Sequence, residues 1–186
     1  MRYFVVLIVL LVSSQTAWAK PPRWEVDENR SSLAFIFMQE GGTYRGTFER
    51  FTSDILFDPQ DLKASHAKVV IDLTSLNAGN EERNDALRSS DWFYLKKFPT
   101  AEFKTTSFQH LADNRYDVSG VLSIRGIEQQ VVLASIIEIE GDSVHMTAEM
   151  DMNRLDYGLG EGFWANPDFI GLEVALDIEL FAQHQP

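Results

Sequence analysis

The side chains best suited to proton transfer or metal binding near neutral pH are four histidines, His66, His110, His145 and His184. Neighbouring ones lie at least 35 residues apart, so no His-x-His, His-x-x-x-His or Glu-x-x-His spacing can be drawn. His145 shares one strand face with Glu149, but a solvated polar face accounts for that pair better than a surface metal site does. With no cysteine in the chain, thiol nucleophiles, zinc-thiolate sites and disulfides are excluded. Serine and aspartate are present, yet no Gly-x-Ser-x-Gly elbow supports a hydrolase triad. Acids are plentiful, and none sits in a recognisable acid-base frame. The run Gly158-Leu159-Gly160-Glu161-Gly162 superficially resembles a phosphate-binding loop. Phe163 stands where the third fingerprint glycine belongs, and no strand-loop-helix context surrounds it. It reads as a flexible connection. No catalytic, metal or cofactor site is legible in these residues.

The elements that must position the side chains of this chain are strands. Ile170, Leu172, Val174, Leu176, Ile178 and Leu180 alternate with a mostly polar set, and Val144, Met146, Ala148, Met150 and Met152 do the same. Tyr116 to Ile124 and Ala67 to Leu73 repeat the pattern, which is the period of a strand with one apolar face. Weaker strands are read over Leu33 to Gln39, Tyr44 to Phe57, Glu102 to Leu111 and Ile127 to Glu140. Turn residues at Gly41-Gly42, Asp58-Pro59, Asp113-Asn114, Arg125-Gly126 and Gly141-Asp142 separate them. One helix is expected over Glu81 to Ser89, capped by Asn80, with Ser90 opening a short turn toward Tyr94. The fold class is all-β: an antiparallel barrel of about eight strands with one short helical insertion.

The chain has 186 residues and a formal net charge of -12, with 16 Lys and Arg against 28 Asp and Glu. That length suits one domain. The acidity argues against nucleic acid and against anionic membrane surfaces as partners. Residues 1–19 read as a secretory signal peptide: Arg2, an apolar run from Phe4 to Val12, and Ala17-Trp18-Ala19 before Lys20. The run is far shorter than the roughly 20 residues that span a bilayer. Cleavage after Ala19 leaves residues 20–186 as a single soluble domain. Export without cysteine favours a bacterial periplasm.

Several segments, taken in order, resemble the YceI-like family. They include Trp24-Glu25-Val26-Asp27, Ile71-Asp72-Leu73-Thr74-Ser75-Leu76, Glu82-Arg83-Asn84-Asp85-Ala86-Leu87-Arg88-Ser89-Ser90-Asp91-Trp92-Phe93 and Lys97-Phe98-Pro99-Thr100-Ala101-Glu102-Phe103. Gly120-Val121-Leu122-Ser123-Ile124-Arg125-Gly126 and Asn153-Arg154-Leu155-Asp156-Tyr157-Gly158 continue it. Arg30 and Gln39 stand where histidines are common, and Asn84 where an acid is common, which questions the polar contacts at the mouth. The resemblance implies a lipocalin-like barrel that carries a polyisoprenoid, an isoprenoid quinone or a fatty acyl derivative in its interior, without catalysis. The alternatives are an acidic partner of a membrane cytochrome of the b561 type, or a lipid-modifying enzyme. Expected tunnel lining is Phe35, Phe37, Ile71, Leu122, Met146, Met150, Leu172 and Leu176, with Phe93, Phe98 and Trp164 as gates. Whether these side chains enclose a void or pack on one another stays open, as does a homodimer.

Overall fold

The computed structural model describes residues 20–185, so the segment read as a signal peptide lies outside the described residues. Eleven strand segments follow in order: β1 Arg23–Val26, β2 Ser32–Gln39, β3 Gly42–Phe48, β4 Phe51–Leu56, β5 His66–Asp72 and β6 Leu76–Asn77, then β7 Thr100–Ala112, β8 Arg115–Ile124, β9 Ile127–Glu140, β10 Ser143–Asn153 and β11 Ile170–Gln185. One helix, α1 Glu81–Arg88, stands between β6 and β7, and Asn80 caps it by accepting from Arg83 N at 2.8 Å. Turn residues after Arg88 fold back on the Ser89 carbonyl, which accepts from both Trp92 N and Tyr94 N.

The segments form a closed barrel of eight antiparallel staves. β1 and β2 lie end to end along β11, pairing Arg23–Val26 and Ser32–Phe37 with its two halves. β3 and β4 share the next stave, paired to β2 and β1 respectively. β5 and β6 share the third. The other five staves are unbroken, and the pairing of β1 with β11 closes the ring. A barrel of this strand number has an interior wide enough for side chains or one small ligand.

The expected strand over Tyr44 to Phe57 is therefore two strands. Its alternation breaks at Glu49 and Arg50, where Glu49 N donates to Ser75 O and Arg50 O accepts from Asp72 N. The first hairpin turns at Glu40 and Gly41, one residue earlier than the Gly41-Gly42 pair indicates, with φ of 49° and 78°. Along β8 the alternation holds throughout, with Tyr116, Val118, Gly120, Leu122 and Ile124 all buried. On β3, Gly46 is dictated by packing: a Cβ there would lie 2.2 Å from Cζ of Phe35, so the bare backbone lets that ring lie flat across the stave.

The register of β11 fixes the two ends of the barrel. At its Gln185 end, Trp24 Nε1 donates to Phe57 O at 2.8 Å, and Phe57 packs on Phe108 at 5.1 Å and Tyr116 at 5.6 Å. These rings crowd the lower end. At the Ile170 end, α1 and the loop from Arg154 to Ile170 surround an opening.

Candidate functional site: an apolar tunnel

Two chambers run along the barrel axis. The upper one, 420 Å³, is lined by Phe35, Phe37, Phe48, Leu73, Trp92, Phe93, Ile124, Met152, Trp164 and Val174 among others. The lower one, 120 Å³, is lined by Val26, Val69, Phe103, Val118, Leu133, Met146 and Met150 among others. Leu33, Ile71, Leu122, Leu176 and Ile178 contribute to both, so they form the waist at which the two chambers abut. Polar groups gather at the upper mouth, where Gln39, Glu40, Asn80, Glu82 and Arg83 line the opening between α1 and the β2–β3 hairpin. Arg83 is fixed there: its Nε donates to Gln39 Oε1 at 2.8 Å and its guanidinium stacks 3.8 Å above the Tyr44 ring.

The sequence-derived candidates divide by position. Phe35 and Phe37 line the upper chamber, Met146 and Met150 the lower, and Ile71, Leu122 and Leu176 the waist. Leu172 lines neither chamber. The β2–β11 register shifts between Ile170 and Val174, and this bulge takes Leu172 out of the inward alternation that Val174, Leu176 and Ile178 keep. Phe93 and Trp164 lie in the upper wall, whereas Phe98 lies outside it. Phe98 packs edge-on to Tyr94 at 6.2 Å under the Lys97 ammonium, where the chain turns into β7. Of the three departures from the family pattern, only Gln39 is at the mouth. Arg30 lies over the Phe181 ring at 4.4 Å, and Asn84 pins the β6–α1 connection by accepting from Ala78 N at 2.7 Å. His145 meets Glu179 at 2.9 Å and Glu138 at 3.6 Å rather than Glu149, and stacks on Phe181. Among the described residues no group of three His, Asp or Glu is placed to hold a metal.

Sequence reasoning missed the residue that builds the mouth. Arg154, the residue after β10, is 1% exposed and donates to five main-chain carbonyls. Nε reaches Gly171 O at 2.9 Å, Nη1 reaches Leu159 O at 2.7 Å and Gly160 O at 2.8 Å, and Nη2 reaches Ile170 O at 3.0 Å and Trp164 O. Its guanidinium also lies 5.2 Å from the Trp92 ring centroid. Burial pulls this group below its ordinary pKa range. The glycine-rich run read as a flexible connection is therefore pinned around a buried cation. A Cβ on Gly160 (φ 70°) would sit 2.7 Å from Arg154 Nη1 and 2.8 Å from Trp92, so the run's glycine serves the wrapping of Arg154.

Beside it, Tyr157 is fully buried and its hydroxyl lacks a hydrogen-bond partner among the described residues. Burial, reinforced by the Asp156 charge, pushes the phenol up from 10.0 to about 12. The fold thus favours the neutral phenol, and that contribution is whole below about pH 10 and lost as pH rises toward 12. Tyr157→Phe removes an unpaired hydroxyl, so stability at pH 7 should stay level or rise by up to about 1 kcal/mol. Urea titrations between pH 7 and 12 should show a flatter alkaline decline in the variant than in the parent.

Fold and cavity together define a class: a closed antiparallel barrel with an apolar interior and a polar-rimmed mouth. Residues 24–182 match the YceI-like domain, and the chain belongs to that family. It is 27% identical over 158 residues to a UPF0312 protein of Pseudomonas putida, covering 82% of this chain and 79% of that one. With a UPF0312 protein of Vibrio vulnificus it shares 33% identity over 91 residues, 49% of this chain, and so spans about half the length of that relative. BcnA of Burkholderia cenocepacia superposes with a TM-score of 0.82 at 26% identity, over 86% of this chain and 100% of that one. A polyisoprenoid-binding domain from Saccharophagus degradans superposes with a TM-score of 0.72 at 19% identity, over 88% of this chain and 99% of that one, a likeness of fold.

Proposed function

We propose that this protein is an exported, periplasmic carrier that holds a long-chain apolar lipid in its tunnel and performs no chemistry on it. The observation that carries this reading is the pair of adjoining apolar chambers, 420 and 120 Å³, the larger of which carries polar side chains at its mouth. An empty apolar tunnel forfeits contacts that a bound chain restores, at about 0.8 kcal/mol for each methylene withdrawn from water. Ordering of the chain offsets part of that gain. A tail in the tunnel with its polar end among Gln39, Asn80 and Arg83 fits a polyisoprenoid, an isoprenoid quinone or a fatty acyl derivative. The similarly folded domain from Saccharophagus degradans, a polyisoprenoid-binding one, supports the first of these. No resident cofactor is needed for such a role.

The test is mass spectrometry of protein purified from its native compartment, under native and then denaturing conditions. An extra mass that is lost on denaturation and extracts into organic solvent is expected, on a chain beginning at Lys20. A chain that stays free of added mass when offered long prenols, isoprenoid quinones and fatty acids would overturn the reading. Met150→Gln should weaken retention at least tenfold, because it sets an amide of similar length in the lower chamber without a partner. Glu149→Gln, on the outer face of the same strand, should leave retention unchanged.

A further inference from the structure

The rim of the mouth bears an apolar surface that the tunnel itself does not use. Met38 is 52% exposed, Phe163 68% and Phe169 38%. Phe163 and Phe169 stack on each other at 5.0 Å. The Phe169 carbonyl accepts from Glu40 N at 3.0 Å, which ties this pair to the β2–β3 hairpin. Met38, two residues before Glu40, packs its Cβ against Gly171. Phe163 also meets Trp164 edge-on at 5.3 Å, and Trp164 meets Trp92 at 6.2 Å. Both tryptophans line the upper chamber. Aromatic rings therefore run without a break from the outer surface into the tunnel wall.

A stacked phenylalanine pair left in water gives up hydrophobic stabilisation that a partner would return. Its position at the opening says which partner. A cargo insoluble in water must leave a bilayer and enter the tunnel, and a rim seated on the bilayer spares it the aqueous step. We propose that Met38, Phe163 and Phe169 dock this mouth on a lipid bilayer, entering its interfacial layer. This rests on the lipid-carrier reading. The charges beside the patch are the exposed acids Glu40, Glu161 and Asp168. The mouth's own cation, Arg83, is engaged by Gln39 and Tyr44. Docking is therefore to a zwitterionic surface and driven by apolar insertion. Anionic lipid opposes it, the reverse of a polybasic anchor.

Flotation with phosphatidylcholine vesicles tests the docking face, and binding of cis-parinaric acid in vesicle-free buffer tests the tunnel separately. Phe163→Ser with Phe169→Ser should lower the floated fraction at least tenfold and leave parinaric acid binding at the parent's level. Val132→Ser with Ile136→Ser, which removes comparably exposed apolar groups from the outer wall of β9, should float like the parent. Adding phosphatidylglycerol should lower flotation of the parent. The proposal is overturned if the parent does not float, if the Phe163/Phe169 variant floats as well as it, or if the β9 variant loses as much. It also falls if the Phe163/Phe169 change converts a dimer to a monomer on a sizing column while flotation persists, since the face would then join two copies. Flotation that depends on the two phenylalanines, in a chain that binds neither parinaric acid nor a long prenol nor an isoprenoid quinone, upholds the docking face and sinks the carrier reading instead.

Discussion

An Arg154→Met variant is expected to unfold about 3–5 kcal/mol more readily than the parent, since each buried acceptor left unpaired costs about 1–3 kcal/mol and several lose their donor at once. The reason is geometric. Five carbonyls, those of Leu159, Gly160, Trp164, Ile170 and Gly171, converge on one guanidinium. Methionine fills comparable space but donates nothing, so these carbonyls must turn to water or stay unpaired. For a chain of this size the loss corresponds to a fall of about 10 °C in the midpoint of thermal unfolding. Arg154→Lys should recover little, because an ammonium has three donors and lacks the planar fork that serves carbonyls on several sides. The damage should stay local at first. Leu159, Trp164 and Ile170 belong to the upper wall of the tunnel, so proteolysis should open the 158–168 loop while the barrel's far-ultraviolet spectrum persists. Denaturant titration with limited proteolysis checks both parts. A variant as stable as the parent and equally resistant would show that the carbonyls need no cation.

The parts of this molecule that depend on alternation were legible in the sequence, and those that depend on main-chain geometry were not. Tyr116 to Ile124 reads as a strand with one buried face because side chains on adjacent residues point to opposite sides of the sheet, and β8 keeps that rule along its length. Asn80 with Glu81 and Glu82 behind it marks a helix start, and the cap forms as expected. The bulge before Val174 leaves no trace in the residue pattern, which is why Leu172 looked as inward as Leu176. The same holds for Arg154. All five of its partners are carbonyls, which every residue possesses, so no side-chain pattern announces the network. A trace does exist in hindsight: a charged residue closing an amphipathic strand, followed by glycines at 158, 160 and 162, all with positive φ. Phe98 illustrates a different limit. Aromatic residues near a mouth and aromatic residues packing a turn look alike until the turn is placed.

The waist gives the second large effect, a change in which chain lengths the tunnel accepts. Leu176 sits where the two chambers meet, with Leu33 on the neighbouring strand and Ile71 and Leu122 on other staves lining the same constriction. Leu176→Trp should close that constriction and cut the 120 Å³ lower chamber off from the mouth. Each methylene that no longer reaches the lower chamber forfeits about 0.8 kcal/mol. Excluding about four of them amounts to about 3 kcal/mol, or roughly a hundredfold in affinity. A short prenol or fatty acid that fills only the upper chamber should bind nearly as before. Ile71→Ala should act in the opposite sense, by widening the passage and raising affinity for long chains relative to short ones. Some loss of stability in the tryptophan variant is expected from overpacking, about 1–3 kcal/mol. That loss is common to all ligands and cannot by itself produce a dependence on chain length. Affinity measured across a homologous series of chain lengths therefore isolates the waist. Equal weakening of short and long chains would mean that cargo stops in the upper chamber, and that the lower one is only imperfect packing of Met146, Met150 and their neighbours.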